Sequence, residues 1–378
     1  MKKIYTSSFT SLLATTLFSA PYVHASLMDS FIDPDDGRLD GSQFILDNAV
    51  GFLPIPLTVT DPAVGFGGGA ALLFFHESEE RKAKRLAGEH VGDIPASVSG
   101  VMALGTSNGS NMVGGFHSGN WLNDRVRYLG GIFSATFNLK FYPIPELGAT
   151  DLSLKGSYFF QDLDVRLGDS NFFVGGSYSY MSSESTIAGQ KDLNTDSQDG
   201  RLGWRVSYDS RNNQFAPRIG TKAQFQVDHH RKAFGGQFNY QKYHAYVHNY
   251  RRLSEDWGLG LRADAKSISD NVDFPASIYA KPFVEMRGIA AMRYQADNTA
   301  LGEVELSYDI DDRWTVLAFA GAGTAFDHDQ SIGQAKLHYT RGGGFRYLLA
   351  KQLGLRMGVD VAKGPEEWTT YIQFGGAW

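Results

Sequence analysis

Leu353-Gly354-Leu355-Arg356-Met357-Gly358-Val359-Asp360-Val361-Ala362 decides the fold. Leu353, Leu355, Met357, Val359 and Val361 alternate with Gly354, Arg356, Gly358, Asp360 and Ala362. A period of two places the two sets on opposite faces of a β-strand. The pattern recurs upstream. Trp257, Leu259, Leu261, Ala263 and Ala265 alternate with Gly258, Gly260, Arg262, Asp264 and Lys266. Leu202, Trp204, Val206 and Tyr208 do so with Arg201, Gly203, Arg205, Ser207 and Asp209, and Thr221, Ala223, Phe225 and Val227 with Lys222, Gln224, Gln226 and Asp228.

A soluble sandwich also alternates, but its strands usually run to about five or six residues. These run to about ten, the length a tilted strand needs to cross hydrocarbon. Aromatic residues mark many strand ends (Trp121, Tyr128, Phe141, Tyr142, Trp314, Trp368, Trp378), as interfacial girdles require. A closed barrel leaves no unpaired backbone edge in lipid. The sequence therefore predicts an all-β chain, a closed antiparallel transmembrane barrel of about sixteen strands. The expected strands are 63–76, 96–106, 110–120, 125–141, 150–161, 172–182, 200–209, 220–231, 236–251, 256–267, 278–286, 301–310, 313–326, 337–350, 353–362 and 368–378. Asn108-Gly109, Asn123-Asp124, Ser254-Glu255, Asp311-Asp312 and Lys351-Gln352 fit tight reversals. Longer polar connections fall at 77–95, 183–199, 268–300 and 327–336.

Composition agrees. The 378 residues include 43 Gly and no Cys, which removes disulfides, thiol catalysis and Cys-based metal sites. A formal charge of −6, spread along the chain, gives no nucleic-acid footprint. Lys2 and Lys3, the apolar Leu12, Leu13, Ala14, Leu17 and Phe18, and Val23-His24-Ala25 before Ser26 read as a signal peptide over 1–25. Residues 26–60 read as a short periplasmic segment and 61–378 as the barrel. Asp33-Pro34-Asp35-Asp36-Gly37 has the wrong acid spacing for an EF-hand and reads as a turn.

Several segments in order resemble the BamA/TamA-like superfamily of outer-membrane insertases and translocases, the bacterial surface antigen type of barrel. Pro62-Ala63-Val64-Gly65-Phe66-Gly67-Gly68-Gly69 is similar to its first barrel strand. Tyr208-Asp209-Ser210-Arg211-Asn212-Asn213 with Pro217-Arg218-Ile219-Gly220 is similar to its reversal between middle strands. Met286-Arg287-Gly288 matches the Arg-Gly core of the motif on its long loop, and Leu301-Gly302-Glu303-Val304-Glu305-Leu306 the strand that follows. Gly342-Gly343-Gly344-Phe345-Arg346 and the Phe374 to Trp378 end resemble the closing strands.

The resemblance implies a Gram-negative outer-membrane protein whose long loop folds into the lumen. The family holds the loop arginine against acids of the next two strands. Here Glu305 aligns with the first, and Gly321 stands where the second would fall, so the clamp is expected to rest Arg287 on Glu303 and Glu305. An arginine stays protonated in any lumen and requires such carboxylates. Family members usually carry periplasmic POTRA domains that receive clients. About thirty-five residues between Ala25 and the first expected strand are too few for one, so a barrel-only member is expected. Ile372, Phe374 and Trp378 at the end of the last strand fit the terminal signal read by the barrel-assembly machinery, and an interfacial Trp anchor fits as well.

No other chemistry is visible. His229 and His230 face opposite ways on a strand, and His244 and His248 lie about 13 Å apart along one, too far for a shared metal. No nucleophile elbow or phosphate loop occurs, so neither an enzyme nor a cofactor is expected. The expected partners are outer-membrane lipids, the assembly machinery during the barrel's own insertion, and client polypeptides or lipids. The alternatives are a passive channel for small solutes, selected by lumen charges, and a structural surface-binding barrel. The 268–300 connection discriminates: a plug favours the insertase-like reading, an open lumen the channel.

Overall fold

Leu202, Trp204 and Val206 are 46%, 46% and 40% exposed, whereas Arg205 among them is 8% exposed. The same inversion runs round the sheet. Ile132, Phe225, Val247, Val304, Val316 and Phe345 stand out, while Asp228, Asp264, Glu303, Arg346 and Asp360 are buried. An apolar outer belt over a charged interior is what a strand wall in lipid requires.

The computed structural model describes residues 31–42, 44, 52–61, 63–76, 97–142, 148–188, 194–214, 216–269, 272, 280–351, 354–376 and 378. The expected leader at 1–25 and the connection at 77–95 lie outside them. Sixteen strands follow in chain order: β1 (Phe52–Asp61), β2 (Gly65–His76), β3 (Ser97–Thr106), β4 (Asn111–Trp121), β5 (Val126–Phe141), β6 (Thr150–Arg166), β7 (Phe172–Ile187), β8 (Thr195–Asp209), β9 (Gly220–His230), β10 (Tyr240–Arg252), β11 (Trp257–Ile268), β12 (Asn298–Asp309), β13 (Trp314–Phe326), β14 (His338–Ala350), β15 (Leu355–Lys363) and β16 (Trp368–Phe374). Each pairs antiparallel with the next, giving one up-and-down sheet. The β4–β5 reversal is made at the expected Asn123 and Asp124, joined by Leu122, with φ of 53°, 55° and 62° for residues 122–124, a region Asn and Asp tolerate best.

The sheet curls into a barrel that is nearly closed. β1 and β16 lie side by side, but no ladder joins them among the described residues. The Ile372 N–H donates instead to Thr60 Oγ1 at 3.2 Å. Pro54 and Pro56, two residues apart in β1, lack donors on the same edge of that strand, and such prolines are tolerated where the edge is unpaired. Wall height is uneven. β6 has 17 residues and β7 16, whereas β15 has 9 and β16 7.

Two sequence expectations are corrected. The sheet begins at Phe52, inside the segment read as periplasmic, because β1 carries prolines that argue against a strand interior. The strand expected at 278–286 is absent from its described part. Residues 280–297 form an irregular connection with one isolated bridge, Phe283 to Gln295. The missed strand and the surplus one cancel, so sixteen is the observed number.

Candidate functional site

Residues 280–297, between β11 and β12, fold back on themselves. The Val284 N–H donates to the Tyr294 carbonyl at 2.9 Å and the Ala296 N–H to the Pro282 carbonyl at 3.2 Å. Gly288, at φ +90°, shapes its tip, and a Cβ there would lie 2.9 Å from the Gly364 nitrogen. Only glycine combines that φ with that approach. The Gly288 N–H donates to the Tyr371 hydroxyl of β16 at 2.8 Å. On the other side, Met292 and Phe283 pack with Leu152, Leu154 and Ile187 of β6 and β7. The connection thus touches both the closing strand and a distant wall.

Arg287, beside this tip, is 7% exposed. Its Nη1 donates to Glu305 Oε2 at 2.8 Å and to Asp360 Oδ2 at 3.0 Å. Asp360, fully buried, also accepts from both terminal nitrogens of Arg346, at 2.6 and 2.9 Å. Glu303 accepts from Arg262 at 2.8 Å and from Trp378 Nε1 at 3.2 Å. Its Oε1 lies 3.6 Å from Arg287 Nε, and neither atom has a hydrogen-bond partner among the described residues. The guanidinium also stacks over Phe319 at 3.5 Å and faces the Trp378 ring at 5.6 Å. Three guanidiniums (Arg262, Arg287, Arg346) thus meet three carboxylates (Glu303, Glu305, Asp360), the balance buried charge demands.

Arg287 lies among acids of β12 and β15, which divide their partners between three arginines. Glu305 pairs with Arg287, whereas Glu303 is held mainly by Arg262 and Trp378. Asp360 of β15 supplies the second acid, which the sequence reading missed. Gly321 lies opposite Glu303, and a Cβ there would meet the Glu303 side chain at 2.7 Å. Glu303 fills the space a β13 acid would need.

Trp378 corrects a second expectation. It does not share a face with Ile372 and Phe374. Gly375, at φ +84°, ends the strand, and the chain turns inward. Phe374 stays 47% exposed, while Trp378 meets Gly260, Tyr250 and His248, and its carbonyl accepts from the Tyr250 hydroxyl at 3.2 Å. The terminal residue therefore faces the interior and is no rim anchor.

The described residues of the β8–β9 reversal are densely hydrogen-bonded. Asp209 accepts from Arg211 Nε and Arg127 Nη1, both at 2.9 Å. Asn212 Oδ1 accepts from the Arg218 and Ile219 N–H groups at 3.0 Å, closing the turn around Pro217. Gly220, at φ +112°, passes so close to Ser210 that a Cβ would lie 2.2 Å from its carbonyl oxygen. Arg218 reaches Asp309 and ties this turn to β12. Among the described residues no group of three or more acidic or imidazole side chains could hold a metal.

Comparison with known proteins now bears on this geometry. The Omp85 superfamily domain matches residues 132–362, more than half of the chain. Among solved structures, BamA from Haemophilus ducreyi lacking POTRA domains 1–3 aligns with a TM-score of 0.56 at 12% identity, over 85% of this chain and 69% of that one. CdiB from Escherichia coli aligns at 0.59 and 11%, over 85% and 61%, and CdiB from Acinetobacter baumannii at 0.53 and 10%, over 85% and 59%. The chain thus spans about three fifths of either CdiB, and at these identities the likeness speaks for the fold. No curated protein matches the chain in sequence. An apolar belt, sixteen strands, a nearly closed sheet and the family match agree: the chain belongs to the Omp85 superfamily and is a β-barrel of the bacterial outer membrane.

Proposed function

We propose that this barrel inserts or moves polypeptide or lipid at the outer membrane through the seam between β1 and β16. One observation carries the reading: the first and last strands are neighbours without a ladder among the described residues. An unpaired edge in lipid is costly unless it is used, because each orphan backbone group forfeits its hydrogen bond. Such an edge can pair with an incoming strand or open toward the bilayer. Residues 280–297 act as a lumen plug, pinned by Arg287 to β12 and β15 and touching β16 through Gly288 and Tyr371. The plug therefore reports on the seam strand. Asp209, Arg211, Pro217 and Gly220 keep the opposite wall rigid while the seam moves.

The test is a pair of measurements on the purified full chain. In planar bilayers the wild type should conduct little, and Arg287→Ala should conduct steadily as the plug loosens. In proteoliposomes the wild type should speed folding of a urea-denatured eight-stranded barrel, and a disulfide between Thr60→Cys and Ile372→Cys should abolish that gain reversibly. A large wild-type conductance unchanged by Arg287→Ala, with no effect on folding, would make the protein a passive channel instead.

A further inference from the structure

Arg341 of β14 stands on the lipid face of the wall. It shares that face with Tyr339 and Phe345, 64% and 40% exposed, and alternates with the buried Thr340 and Arg346. Lys363, at the end of β15, is its cross-strand partner, and Trp368 of β16 continues the same row. Lys363 follows Val361 on the outer face of β15. Like charges directly opposite one another destabilise a sheet, and here no side chain of the described residues neutralises them. Arg341 is exposed and makes no ion pair or hydrogen bond among the described residues. Lys363 Nζ donates to the Glu366 carbonyl at 3.3 Å, while the Glu366 carboxylate is taken by Arg293 and the Tyr294 hydroxyl. Glu367 forms no ion pair among the described residues.

The row lies at the end of the barrel that carries the long connection between β11 and β12, opposite the short turns at 253–256 and 310–313. Short turns mark the periplasmic side, so the row faces the outer leaflet, and the exposed Trp368 fits the headgroup level. Beside Arg341 the outer wall holds a furrow of about 750 Å³, which runs from Tyr339 of β14 to Arg251 near the far end of β10. Its floor includes Ala263, Gly302, Ala320 and Ala322. Four strand steps separate β14 from β10, about 19 Å at ~4.8 Å per step, long enough for one saturated acyl chain. Lipid offers no hydrophobic drive against an apolar wall, so a chain is held by close contact, which small residues permit.

We propose that Arg341 and Lys363 bind the phosphate monoester of an outer-leaflet glycolipid, one acyl chain of which lies in the furrow. Charge selects this ligand. A phosphate monoester carries roughly −1.5 to −2 at pH 7 and matches two cations, whereas the phosphodiester of a glycerophospholipid leaves one cation unmatched. Arg341 offers a planar fork to two phosphate oxygens, and Lys363 adds a point charge. The site requires only the barrel in its membrane, whatever crosses the seam.

Native mass spectrometry of the purified full chain in detergent micelles, offered equimolar lipid A and phosphatidylglycerol, tests the selection. The wild type should retain lipid A roughly tenfold over phosphatidylglycerol, the worth of one charge-assisted hydrogen bond. Arg341→Gln with Lys363→Gln should bind both lipids alike. Ala322→Leu keeps both cations and fills the furrow, so its retention of lipid A should fall about threefold. Folding is checked by heat-resistant migration, and Arg341→Gln alone carries the comparison if the double variant fails that check. Equal retention of the two lipids by the wild type, or a preference that survives in folded Arg341→Gln, would overturn the proposal. Unaltered retention by Ala322→Leu would remove the acyl chain from the furrow and overturn that half of it.

Discussion

Arg287 is the centre of a charge-neutral cluster, and its removal leaves Glu303, Glu305 and Asp360 facing only Arg262 and Arg346. Breaking a buried pair from one side costs about 3–5 kcal/mol, so Arg287→Ala should lower the temperature at which the heat-resistant gel form is lost. Arg287→Lys should recover little, because an ammonium cannot replace a planar fork stacked on Phe319. Gly288→Ala should loosen the tip by more than about 1 kcal/mol, since alanine at positive φ is strained and Gly364 leaves no room. Asp36 and Asp40, both bonded to Arg313, titrate separately. The Arg313 guanidinium holds the Asp36 carboxyl below the usual carboxylate range. Burial pushes Asp40 up, but hydrogen bonds from Ser42 and Arg313 outweigh it and leave it lowered too. Acids whose pKa falls on folding stabilise the folded state above their unfolded value of about 4 and lose that contribution as pH drops through the folded one. A spin label at Asp35→Cys should stay immobile from neutral pH to about 5 and become mobile only in stronger acid. Arg287, Gly288 and Glu305 were legible because they sit within one motif and the strand after it. Asp360, 73 residues from Arg287, and Asp33, 280 from Arg313, were not, since no local pattern links such pairs.

At the scale of elements, alternation read the interior strands well, because lipid on one face and charge on the other enforce period two along each. It failed at β1, where Pro54 and Pro56 look like strand breakers and where the neighbouring edge is unladdered. Restoring both donors with Pro54→Val and Pro56→Val should let β1 pair more fully with β16. The expected outcome is slower seam opening, read as fewer brief conductance bursts in planar bilayers, and no change would mean the prolines face away from the seam. Alternation also failed at 280–286, where Val284 and Met286 resemble strand residues but instead join Ile289 and Leu301 in a small core. Two-residue periodicity registers an apolar neighbour without saying whether it is lipid or protein. Trp378 shows the same blindness. Steps of two from Ile372 point outward, and one glycine at 375 sends the last residue inward.

For the whole molecule, the unequal wall described above has a consequence for the membrane itself. At ~3.3 Å per residue, β6 is about 56 Å long and β16 about 23 Å before tilt. Hydrocarbon is roughly 30 Å thick, so the tall wall clears it with residues to spare and the short one, once tilted, does not. Lipids must meet that deficit by thinning and disordering beside β15, β16 and β1, each ångström of mismatch costing a fraction of a kcal/mol. The bilayer is therefore weakest where the protein's own hydrogen bonding is weakest, and a chain approaching from either side finds the two faults aligned.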